Sequence, residues 1–139
     1  MTRNPYDVRM PRELILPATL MSLAFVFYTT GVFAERAVRD LRAWHVVLFW
    51  LGLACDSLGT EMMARLVAIG EKPTVIHALT GGAALLLMAG HTLWATWVLV
   101  RGSERTRAGF HRYSIAVWAI WLVPYFGGMI AGMSRGLNI

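Results

Sequence analysis

The sequence predicts an all-α membrane protein, a four-transmembrane-helix bundle of up-down-up-down topology. Three observations carry that prediction. Of the 139 residues, 57% are hydrophobic and only 15% are charged, whereas a soluble domain carries about 25% charged residues. The missing charge is concentrated, because the stretches 14–34, 43–60, 74–100 and 113–133 contain one formally charged side chain, Asp56. The shortest of these is 18 residues and the longest 27, against the roughly 20 apolar residues a helix needs to cross the hydrocarbon core. In lipid every backbone N–H and C=O must find a partner within its own segment, so each stretch is expected to be helical. The predicted spans are about 14–34, 43–63, 74–100 and 111–133, and the whole chain, 1–139, reads as one transmembrane domain.

In the first span, Val32-Phe33-Ala34 resembles a signal-cleavage site. Its apolar run exceeds the 7–15 residues of a signal h-region, so a retained helix is expected. Glu35 and Arg36 follow at the span end, where a solvated or interfacial role is expected. Residues 35–42 form the first connector. The second span holds the single cysteine, Cys55, which has no intramolecular disulfide partner and reads as a small buried apolar residue. Its helix is expected to continue past the hydrocarbon through 61–68. A turn at 70–73 follows, with Gly70 at the helix end and Pro73 opening the third span. Residues 101–112 form the third connector. In the fourth span Pro124 with Gly127 and Gly128 could interrupt the helix. Short connectors make successive helices antiparallel neighbours.

The net charge of +5 does not point to nucleic acid, because the basic residues cluster at span ends, where membrane proteins keep them. The first and third connectors carry Arg36, Arg39, Arg42, Arg101, Arg105, Arg107 and Arg112. The opposite side carries Arg3, Arg9, Arg12, Arg65, Lys72 and Arg135. The tighter packing of the first set leans towards cytoplasmic connectors and outside termini. Trp44, Trp94 and Trp97 cluster towards the same end, as in an interfacial aromatic girdle.

The four histidines, His45, His77, His91 and His111, all lie in or at the edge of a span, where ionisable groups are costly and mark function. His77 and His91 are fourteen positions apart, so they point within about 40° of each other and lie roughly 21 Å apart along the axis. Gly81, Ala84 and Met88 lie between them on one stripe, which leaves a slot for a flat ligand. Membrane b-type cytochromes space histidines similarly. In the second span His45, Phe49, Gly52, Asp56 and Gly59 share a stripe. In the fourth, Ile115, Trp118, Leu122 and Tyr125 follow His111. With turn midpoints near 37–38 and 104, His45 and His111 lie at similar depth, roughly 10 Å from that end, on helices that are diagonal in an up-down bundle. Two axial ligands on opposite faces of one haem b need that arrangement. His91 lies deeper and is an alternate ligand. His77 lies near the opposite end with no histidine at its level, so one haem is expected rather than two. The glycines, Gly52 and Gly81 included, serve helix packing equally well. Asp56 reads as a proton relay, a quinone or substrate contact, a partner for a histidine, or a structural hydrogen bond to Ser57, Thr60 or a facing helix.

Glu35-Arg36, Trp44-His45, Leu48-Phe49-Trp50, Asp56-Ser57-Leu58-Gly59-Thr60, His77-Ala78-Leu79-Thr80-Gly81 and His91-Thr92-Leu93-Trp94-Ala95 form a distinctive motif set. Phe110-His111-Arg112-Tyr113-Ser114, Trp118, Trp121 and Pro124-Tyr125 complete it. Together, over about 14–133, they resemble the HsmA family of small four-span bacterial membrane proteins. The resemblance implies a multi-pass protein of the bacterial inner membrane with a link to haem. The histidine arrangement is also similar to that of cytochrome b561-type haem proteins, but it departs from their pattern because His45, His91 and His111 all lie towards one end.

The leading expectation is therefore a haem b protein with His45 and His111 as axial ligands, a membrane oxidoreductase of cytochrome b type if it is an enzyme. With both axial positions filled, electron transfer is favoured over oxygen chemistry. A quinone, superoxide or a redox protein would then be the partner at the bundle edge. Haem sensing or sequestration needs the same pocket. A second class is a metal-ion or proton-coupled transporter using Asp56 and the histidines, which with four spans requires a homo-oligomer. A third is a non-catalytic membrane subunit that docks a larger partner. Hydrolase chemistry is not indicated, since no Ser or Cys nucleophile lies beside a matched base and acid.

Overall fold

Each apolar stretch forms one helix; the first, second and fourth helices outrun the stretches that predict them, and the third matches its stretch in length. A computed structural model of the chain describes residues 12–68 and 75–136. The helices are α1 (Arg12–Val38), α2 (Ala43–Ala68), α3 (Val75–Arg101) and α4 (Glu104–Gly136). All four are long and apolar enough to cross a membrane. α1, α2 and α4 extend beyond the apolar runs because propagation adds one backbone bond per residue, and caps decide where the helices stop. At the end of α1, Arg39 turns left-handed with φ 55 while its N–H bonds the Glu35 carbonyl at 2.8 Å. That is the single-bond left-handed helix cap. Arg42 opens α2 in a reciprocal cap. The His45 N–H bonds the Arg42 carbonyl at 3.1 Å, and the Arg42 N–H bonds His45 Nδ1 at 3.1 Å. Ser103 caps α4, its Oγ accepting the Thr106 N–H at 3.2 Å.

Two expectations are corrected by these caps. The connector expected at 101–112 shrinks to Gly102 and Ser103, and α4 begins at Glu104 rather than 111. The first turn lies at 39–42 rather than 37–38. Pro124 does not interrupt α4, and Pro17 lies within α1 in the same way, since side chains and neighbouring helices in membranes satisfy the backbone groups that proline frees. The turn expected at 70–73 lies outside the described residues.

The helices form a ring in which α1 packs most closely on α2 and α3 on α4, with α2–α3 and α1–α4 closing it. Among the described residues α2 and α4 are thus diagonal, as are α1 and α3. The close α1–α2 approach rests on two mutual glycine contacts. A Cβ on Gly31 would lie 2.7 Å from Phe49, and one on Gly52 would lie 2.5 Å from Tyr28, so each helix seats the other's aromatic ring on bare backbone. One apolar cluster joins Val32, Leu41, Val46, Phe49, Ala95, Val98 and Phe110 at the end carrying the α1–α2 and α3–α4 loops. A second joins Ala24, Tyr28, Ala84, Met88, Val117 and Trp121 deeper in the bundle. The outer surface is apolar as well, with Leu86, Ile76 and Val123 about three-quarters exposed, as a lipid-facing surface requires. Trp44, Trp94 and Trp97 are exposed near the loop end, and the last two rings stack at 5.2 Å.

Candidate functional site

The polar groups buried near the loop end come from all four helices. Glu35 from α1, His45 from α2, His91 and Thr92 from α3, and Ser114 from α4 are all fully buried. Ser114 Oγ donates to Glu35 Oε2 at 2.8 Å and lies 2.9 Å from His91 Nε2. Because the serine proton points to the carboxyl, Ser114 accepts from His91 Nε2–H. The neutral ring therefore has its lone pair on Nδ1. That nitrogen, Glu35 Oε1, His45 Nε2 and Thr92 Oγ1 are buried without a hydrogen-bond partner among the described residues. A buried polar group left unpaired costs on the order of 1–3 kcal/mol, so these four atoms, gathered at one end, are the ones a bound water or ligand would satisfy.

The expected role of Glu35 is corrected here. It lies at the end of the apolar run, yet α1 continues to Val38 and turns the carboxyl inward. The stripe Ala24, Tyr28, Gly31, Glu35, with offsets of 4, 7 and 11, is buried throughout, and this spacing was the signal available in the sequence. Ser114 carried no signal of its own.

His45 has two roles at once. Its Nδ1 caps α2 by accepting the Arg42 N–H, so the neutral ring carries its proton on the buried Nε2. His111 has the opposite tautomer. Its Nδ1 lies 2.9 Å from the Ala108 carbonyl, to which only an N–H can bond, so Nε2 holds the lone pair. The Leu41 N–H bonds the Arg107 carbonyl at 3.3 Å, and His45 and His111 each follow four residues beyond that tether, on helices running the same way. Their depths are therefore comparable, although no hydrogen bond or ring contact joins them among the described residues. His111 is half-buried and lines a cleft of about 410 Å³ with Arg36, Arg39, Arg112 and Ile115. His91, on the level of Ser114, is walled by Phe49 at 4.7 Å, Phe110 at 5.6 Å and Tyr113 at 5.9 Å between ring centroids.

Of the remaining expected positions, Gly52 is covered by the Tyr28 ring, so its bare backbone serves α1–α2 packing. Gly81 has no atom within 4 Å of a Cβ position and leaves open space. His77 is half-buried against Gly128 of α4, where a Cβ would lie 2.6 Å from its ring. Asp56 forms a separate centre. Its Oδ2 accepts from Trp121 Nε1 at 3.0 Å and Tyr28 OH at 3.3 Å, on α4 and α1 rather than the nearby Ser57 or Thr60. No group of three or more His, Cys, Asp or Glu side chains is arranged to hold a metal ion among the described residues.

No protein-family model matches this chain, and neither does any curated protein or solved structure.

Proposed function

We propose that the chain is a haem b-binding protein of the bacterial inner membrane, with its termini outside, that passes electrons through iron held at the loop end of the bundle. The observation that supports this reading is the set of imidazole nitrogens there that lack hydrogen-bond partners among the described residues. His111 is the best-prepared ligand, because a carbonyl bond to Nδ1 sets the tautomer and aims the Nε2 lone pair, the usual orientation device for a ligating histidine. His45 is the second. Ligation at its Nε2 requires the proton to shift to Nδ1, which breaks the cap on Arg42 and couples the ligand to the start of α2. His91 is the alternate, since Phe49, Phe110 and Tyr113 would have to move to free its Nδ1. One haem is expected rather than two, because His77 lies at the other end against Gly128. Bound haem supplies one-electron chemistry between ferric and ferrous iron.

The test is the visible spectrum of detergent-purified protein, oxidised and then reduced with dithionite. Sharp reduced α and β bands, lost or shifted in His111→Ala and His45→Ala, are expected. A protein that stays colourless after haem is added sinks the reading, and an unchanged spectrum in both variants sinks the ligand assignment. Retention of haem for hours against apomyoglobin distinguishes an electron carrier from a sensor or store, which releases it.

A second reading, proton-coupled transport, is supported by the continuous chain Glu35–Ser114–His91 across α1, α4 and α3. It predicts proton flux in proteoliposomes that disappears in Glu35→Gln, and an absence of flux in wild type removes it.

A further inference from the structure

The cleft beside His111 is framed by two helices. Arg36 and Arg39 come from the end of α1, and His111, Arg112 and Ile115 come from α4. Among the described residues none of the three arginines has a carboxyl group within ion-pair distance. The nearest loop acid, Asp40, is shared by Arg42 at 3.7 Å and Arg107 at 3.9 Å. Three guanidinium groups thus line one cleft without a counter-charge, an arrangement that attracts anions.

The backbone fixes where one of these arginines starts. Arg39 occupies the left-handed cap position of α1 with φ 55, a place glycine usually takes, so the cap that ends α1 carries a cation at the rim of the cleft.

The surface below the arginines is apolar. Ile115 lies one turn deeper than His111 on the same face of α4, and Trp118 lies one turn below that. Trp118 meets the exposed ring of Phe33 from α1 at 5.1 Å between centroids. The α1–α4 seam therefore offers cations at the level of the loop end and apolar surface leading into the bilayer. A soluble anion uses only the first of these features. An anionic amphiphile uses both.

We infer that this cleft binds the phosphate of an acidic phospholipid, the headgroup on Arg36, Arg39 and Arg112 and an acyl chain along Ile115 and Phe33. Basic pockets between membrane helices hold such headgroups. His111 borders both this cleft and the proposed haem site, so lipid binding is measured on haem-free protein, where the phosphate ligands Arg36, Arg39 and Arg112 act alone.

Native mass spectrometry of the full chain in detergent, with phosphatidylglycerol or phosphatidylcholine added, tests this. Wild type is expected to retain phosphatidylglycerol preferentially. Each arginine neutralised in Arg36→Gln and Arg112→Gln should weaken that binding about fivefold. The control Arg101→Gln/Arg105→Gln, at the same end but outside the cleft, should leave it unchanged. Arg39→Gly should weaken binding while keeping or raising the unfolding temperature, which a purely structural arginine would not do. Equal retention of the two lipids overturns the inference, as does an equal loss in the control. Inorganic phosphate that binds the delipidated protein as tightly as phosphatidylglycerol, and displaces it, would assign the cleft to a soluble phosphate instead.

Discussion

Among the described residues two carboxyl groups lie inside the bundle, and the protein holds them differently. Asp56, on α2, places one oxygen between a tryptophan donor from α4 and a tyrosine donor from α1. The Tyr28 and Trp121 rings also pack edge-on at 5.1 Å. Glu35, on α1, receives a single donor, Ser114, and its other oxygen is buried with no partner among the described residues. Both are nearly inaccessible, so burial alone does not tell the two apart. The difference lies in satisfaction. Asp56 ties three helices together, including the diagonal pair α2 and α4, whereas Glu35 keeps an acceptor in reserve beside a histidine with an equally unpartnered nitrogen.

The sharpest way to break this contrast is Asp56→Ala, which strands two buried donors and is expected to destabilise the protein by about 3 kcal/mol. Unfolding in detergent measures it. A loss below roughly 0.5 kcal/mol would remove Asp56 as a structural tie. Next in size is Gly52→Ala, whose new methyl group meets the Tyr28 ring and should cost about 2 kcal/mol. Because it displaces the same tyrosine, its effect should be less than additive with Asp56→Ala, as a double-mutant cycle would read. Ser114→Ala, which leaves both His91 and Glu35 unpaired, should cost about 1.5 kcal/mol. Glu35→Gln should cost less than about 1 kcal/mol, because half of that carboxyl is unpaired already. If Glu35→Gln proves as damaging as Asp56→Ala, the two acids are alike and the contrast fails. The smallest expected effect is Trp50→Phe, which removes an outer bond to Thr96 of 3.0 Å and should cost about 0.5 kcal/mol.

The comparison also shows which parts of the site were legible beforehand. The histidines stood out because an imidazole inside an apolar run is conspicuous, and Asp56 for the same reason. Glu35 did not, because it stands where hydropathy falls away and an interfacial position is the ordinary reading. The α1 cap at Arg39 changed that by carrying the helix one turn further than the apolar residues. Gly52 was legible as a small residue on the His45 stripe, but its neighbour was not, and the neighbour turned out to be Tyr28.

The sequence alone determined four membrane-crossing helices, their order, the polarity of their ends and the exposed tryptophans near the loops. These follow from hydropathy summed along a segment, and a bilayer of set thickness reads such a sum directly. Tertiary structure alone decided which polar atoms meet. Ser114 reaches Glu35 across 79 positions, and Trp121 reaches Asp56 across 65. Hydrogen bonds depend on ångström-scale placement of atoms from different helices, and that placement comes from caps and from glycine contacts such as Gly31 with Phe49, which no local sum contains.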